Sequence, residues 1–161
     1  MKLIHTGKNL VTFSLSQREK QLFLRTLQLY PLVPPAHHQL SKSSQQQTAT
    51  ENQQWLEEAV AEQRHENRKH IRALLDTPGR FQETASGIQF SLKHPEIEWL
   101  LQVLNDVRIG AWLALGEPQE GFVPEINHAN AAHLFAMEGS GHFQVEILAA
   151  LWHHQPTQLG G

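Results

Sequence analysis

Cysteine is missing from all 161 positions of the chain. That absence excludes disulfides, thiolate zinc sites, iron–sulfur ligation and cysteine nucleophiles together. Long apolar runs are missing as well, and no stretch approaches the ~20 residues that a membrane-spanning helix requires. The opening text, MKLIHTGKNL, has no apolar h-region and does not read as a signal peptide. An excess of positive charge is also lacking, since 13 Lys and Arg face 16 Asp and Glu for a net charge of −3. Nucleic-acid-binding domains draw most of their affinity from neutralising phosphates, so this balance argues against that class. The absences together predict a cytoplasmic protein with no membrane association.

Apolar material is sufficient for a core. Hydrophobic residues make up 40% and charged residues 18%, and the length suits one domain. Eleven histidines are the unusual feature. Most sit in polar stretches, and their imidazoles start to charge as pH falls through ~6.5.

Along the chain, Leu3-Ile4 and Leu10–Leu15 flank the turn text Thr6-Gly7-Lys8-Asn9, which predicts a β-hairpin. Ser16 with Glu19 three residues on is a capping box for a helix from Gln17 to about Tyr30, where Pro31 stops it. Residues 33–49, rich in Pro, Ser and Gln, read as a mobile loop. Thr50 and Gln53 propose a second capping box, for a helix reaching Asp76 before Pro78-Gly79. Ile88, Phe90 and Leu92 alternate as a half-buried strand, and a strongly apolar helix with Pro95 in its first turn follows, closed by Gly116 and Pro118. A last helix spans roughly Asn130 to Trp152, with a kink or break expected at Gly139-Ser140-Gly141 unless another element packs closely there. The domain should cover residues 1–152, leaving 153–161 as a loose tail.

One phrase occurs twice. FSLSQREKQLFLRTL, Phe13 to Leu27, is echoed by FSLKHPEIEWLLQVL, Phe90 to Leu104. Each copy is a strand feeding into a capped helix, and a lone unit of that kind cannot bury both apolar faces. Two copies can, if the strands share one sheet and the helices pack on one side. The expected fold is therefore α+β and mostly α. Four helices cover a small antiparallel sheet made of the N-terminal hairpin and the strand near 88–92.

Chemistry-bearing motifs are few. E-x-x-H occurs twice, as Glu62 with His65 and Glu125 with His128. Two such pairs, with a Glu from each of two other helices, build di-iron sites in helical bundles, and Glu19, Glu96, Glu98 and Glu138 could supply the remainder. Arg64, Arg68 and Arg72, with Lys69, form a basic stripe beside Glu57, Glu58, Glu62 and Glu66, which can pair with it. Gln63 and Asn67 fall where the second helix should continue its buried stripe. Asn105-Asp106-Val107-Arg108 interrupts the most apolar helix with residues of poor helix propensity. A tie from Asp106 or Arg108 to a neighbouring helix is one reading; a polar patch at a partner surface is the other.

The stretch EWLLQVLNDVRIGAWLALG, Glu98 to Gly116, resembles the signature helix of a domain-of-unknown-function family common in actinobacteria. Trp99, Leu100, Leu104, Asn105, Asp106, Arg108, Leu115 and Gly116 stand at the matching positions. FQVEILAAL, Phe143 to Leu151, is similar to that family's closing helix, whereas Gly139-Ser140-Gly141 departs from it. The resemblance implies a fold and no reaction. Genes of that family often neighbour the one for the ClpS protease adaptor, which implies a link to proteolysis by association only.

These observations predict a small cytoplasmic binding, adaptor or regulatory protein, without catalysis or cofactor, that engages a protein partner through helix surfaces. The expected interaction surface is Asn105, Asp106 and Arg108 with Gln63 and Asn67. Exposed apolar ends of the second helix would also support a homodimer. Two alternatives stay open. One is an enzyme holding a transition metal on Glu62, His65, Glu125 and His128. The other is a nucleic-acid-binding regulator using the arginine stripe.

Overall fold

Strand β1 (Lys2–Thr6) and strand β2 (Leu10–Leu15) form the expected hairpin, closed where Gly7 N–H donates to the Leu10 carbonyl. The computed structural model describes residues 1–35 and 46–154. Helix α1 (Gln17–Gln28) starts on the full capping box, with Ser16 Oγ accepting from Glu19 N–H and the Glu19 carboxylate accepting from Ser16 N–H. Helix α2 (Gln46–Asp76), strand β3 (Phe81–Thr84), strand β4 (Gly87–Lys93), helix α3 (His94–Ala114) and helix α4 (Ala131–His154) follow. Among the described residues, four helices and one antiparallel sheet of order β1-β2-β4-β3 make an α+β fold that is mostly helical. Among the described residues, no helix is long and apolar enough to cross a membrane.

The repeated phrase sets the centre of the sheet. β2 and β4 are neighbours, with Phe13 opposite Phe90, Val11 opposite Leu92 and Leu15 opposite Ile88. Each residue therefore faces a member of the other copy, and the register is symmetric about the Phe13–Phe90 pair. All six are buried, because alternation along both strands sends them to the same face. The helices cover that face. Phe23 of α1 lies 5.2 Å from the Phe90 ring and 5.1 Å, edge on, from the Phe143 ring of α4. Leu100 and Leu104 of α3 and Leu74 of α2 complete the same cluster. In the second copy a lysine, Lys93, replaces the capping serine. The Glu96 carboxylate still accepts from Lys93 N–H, and the Arg80 guanidinium grips it with two bonds of 2.8 and 2.9 Å.

Several expectations need correction. Helix α2 starts at Gln46, so Thr50 lies inside it instead of capping it. Of the proposed 33–49 loop, residues 36–45 lie outside the described residues, as do 155–161 of the proposed tail, while 153–154 belong to α4. β3 is an additional strand. It carries one large apolar residue, Phe81, stacked on Phe90 at 4.8 Å, which is too little for an alternating pattern in the sequence. α4 runs unbroken through Gly139-Ser140-Gly141 because close packing offsets the poor propensity there. A Cβ on Gly139 would stand 3.0 Å from the Leu22 side chain, and buried Ser140 returns its hydroxyl to the Ala136 carbonyl.

Gly110 in α3 shows the tightest approach. A Cβ there would fall 2.6 Å from the Leu32 carbonyl carbon and 2.7 Å from the Val33 nitrogen, so the chain after α1 crosses α3 at this glycine. Gly110→Ala should cost about 1–3 kcal/mol of stability, because backbone must move to admit the methyl group. Gly141→Ala, whose Cβ would meet only the Arg108 side chain at 3.9 Å, should be neutral or gain up to about 1 kcal/mol from helix propensity. Urea unfolding of both variants checks the contrast.

Candidate functional site

Polar residues placed inside apolar helices must find partners or lose stability. Asp106 finds them in the segment that crosses Gly110. Its Oδ1 accepts from Leu32 N–H at 2.6 Å and from Val33 N–H at 3.2 Å. Arg64 of α2 reaches the same point, donating to the Val33 carbonyl at 2.6 Å with its guanidinium 3.9 Å from Asp106 Oδ2. Both side chains are largely covered, at 15% and 16% exposure, which weakens solvent screening of the pair. One turn along α2, buried Asn67 donates to the Tyr30 hydroxyl at 3.1 Å and accepts from the Gln63 amide at 3.2 Å. Burial pushes the Tyr30 phenol above its ordinary pKa; the Asn67 bond and the nearby Arg64 and Arg68 charges act the other way, and Asp106 adds to the rise.

Three of the five residues expected at an interaction surface, Asp106, Asn67 and Gln63, thus make internal ties, Asp106 with Arg64 and Asn67 and Gln63 with Tyr30. Together these ties fasten α2 and the 30–33 segment to α3. The other two stand outside them, with Arg108 exposed and donating to Asn105 Oδ1 at 3.0 Å on their own helix. The basic stripe is divided in the same way. Arg64 turns inward, whereas Arg68 and Arg72 are exposed and Lys69 pairs with Glu66 at 3.2 Å. Glu62 and His65 lie exposed on α2, and Glu125 and His128 lie exposed in the connection before α4. Glu19 and Glu96 are engaged at the starts of α1 and α3. Among the described residues, no group of three or more His, Asp or Glu is arranged to hold a metal ion.

A different feature was not legible in the sequence. A groove of about 480 Å³ lies between α1 and the first turns of α4, and it is open to solvent. Its floor is apolar, from Leu22 on α1, Leu29 at the end of that helix, and Ala132, Phe135 and Ala136 on α4. Its α1 edge carries Arg18, Gln21, Arg25 and Gln28. Among the described residues, no acidic side chain lines it. Phe135 is 58% exposed and Leu29 37%, so the floor is uncovered apolar surface. The sequence held one hint, Phe135 on a helix that is apolar on nearly every side, which ordinarily signals burial all round.

The Asp106 tie makes a graded prediction. Asp106→Ala should cost about 3 kcal/mol, since it strands two backbone donors and a covered guanidinium. Asp106→Asn keeps an acceptor and should lose about half as much in urea unfolding. Equal losses would assign the tie to charge alone. Tyr30 is the chain's single tyrosine, so absorbance near 295 nm reads its ionisation directly. The phenol should titrate above its ordinary value of about 10 in the folded protein and return to it in denaturant. A raised folded pKa means that this contribution to stability is complete below the unfolded value and falls as pH rises towards the folded one.

No protein-family model, curated protein or solved structure matches the chain.

Proposed function

We propose that this chain is a non-catalytic cytoplasmic binding or adaptor protein that engages a protein partner through helix surfaces. The observation that carries the reading is the α1–α4 groove. It is an uncovered apolar floor that includes exposed Phe135, and none of its lining residues belongs to the polar network that ties α2 to α3. Apolar floors with polar rims are the usual form of surfaces that receive a partner helix. The resemblance of the Glu98–Gly116 helix to a family encoded beside a protease adaptor supports the same class of work. Self-association belongs to this reading too, through the N-terminal half of α2, where Trp55 is 67% exposed.

Phe135→Glu is the test. The side chain is exposed enough that the unfolding midpoint should stay within experimental error of the parent. A stoichiometric complex recovered from the native host should be lost with this variant. A complex that survives Phe135→Glu would move the docking surface elsewhere. Sedimentation of the purified chain, with Trp55→Ser as control, reads self-association separately.

A further inference from the structure

We infer that the occupant of the α1–α4 groove is an acidic amphipathic helix of a partner protein, an inference that rests on the docking reading above. The dimensions point to a helix. The α1 wall runs from Arg18 to Leu29, about three turns or ~16 Å. A small amphiphile in so open a trough would stay largely wetted, whereas ligand sites usually enclose most of their guest. The walls are helices, and beyond their first turns the backbone N–H groups are bonded within α1 and α4. An extended peptide would find no main-chain partners there and would bury its own amides unpaired. A helix satisfies its backbone internally and brings only side chains. Ala132 and Ala136 on the floor leave room for its apolar residues between Leu22, Leu29 and Phe135.

The charge gives the sign of the partner. Arg18 and Arg25 stand two turns apart on the groove's edge. Neither has an ion-pair partner among the described residues. The nearby carboxylate, Glu19, is engaged by the Met1 ammonium and by Ser16 N–H. Arg18 also sits in the first turn of α1, where the helix dipole is already positive and a cation is locally unfavourable. Its charge therefore adds to the positive potential at that end of the groove. Two carboxylates about two turns apart on an incoming helix would face the two guanidiniums, and a basic helix would be repelled.

The probe is a synthetic helical peptide of about four turns with leucines on one face and flanking glutamates two turns apart. Its twin carries lysines in place of the glutamates. Fluorescence anisotropy at low salt should show the acidic peptide binding at least 10-fold tighter than the basic one. Arg18→Glu and Arg25→Glu should each weaken it about 10-fold, and the double variant should prefer the basic twin. Equal binding of the twins, or none by the acidic peptide, overturns the inference. If a host complex sensitive to Phe135→Glu persists in that case, the docking reading stands and only the acidic helix falls. Saturable binding of dodecanoate in the groove, or Phe135-dependent self-association, would overturn it in favour of a lipid or a second copy.

Discussion

A single carboxylate on the face of an apolar helix decides where two other segments lie. Asp106 takes two backbone amides from the chain that leaves α1, and Arg64 closes the arrangement from α2. Gly110, one turn further along α3, lets that chain come within contact distance. The three features work only together. Without the glycine the segment cannot approach, and without the carboxylate its amides would be desolvated and unpaired. Without the arginine, the carboxylate and the Val33 carbonyl would lose their nearest cation. Tyr30 and Asn67 extend the same logic one turn along α2. The long second helix is held chiefly here and at Ile71 and Leu74, so its N-terminal half extends past its own buried contacts.

The sheet rests on a second constraint, the symmetry of its two central strands. Because Phe13 pairs with Phe90, each copy of the repeated phrase supplies half of one apolar face. Each copy also sends its own helix back over that face. The helix starts differ in detail. One is a serine–glutamate box, and the other keeps the glutamate and adds Arg80 from just before β3. In both, the glutamate carboxylate accepts from the backbone N–H of the residue just before the helix.

Legibility in the sequence follows the range of the interaction. The Ser16–Glu19 cap, the alternation of Ile88, Phe90 and Leu92, and the stop at Gly116 are encoded within a few residues, and all could be read. The polar interruption at Asp106 is conspicuous, but the backbone amides it accepts from lie more than seventy positions earlier, and no local rule names them. Gly110 carries no local signal, because the backbone it admits comes from far away in the chain. At Gly139 the sequence leaves a break and close packing both open, and the Leu22 side chain from α1 decides for packing. β3 joins the sheet through its ladder with β4 and carries one stacked phenylalanine, too little for an apolar pattern in the sequence. The groove is a property of two helices placed side by side, so neither helix shows it alone.

This division assigns separate work to the two polar features. The network around Asp106 looks inward and binds the protein to itself, while the arginines of α1 look outward over an apolar floor. Backbone amide shifts in an NMR titration with the acidic helical peptide test that division most directly. The account predicts shifts concentrated at Leu22–Leu29 and Ala132–Ala136, with Gln63–Asn67 and Asn105–Arg108 unmoved. Shifts centred on Asn105–Arg108, with the α1–α4 groove silent, would contradict it.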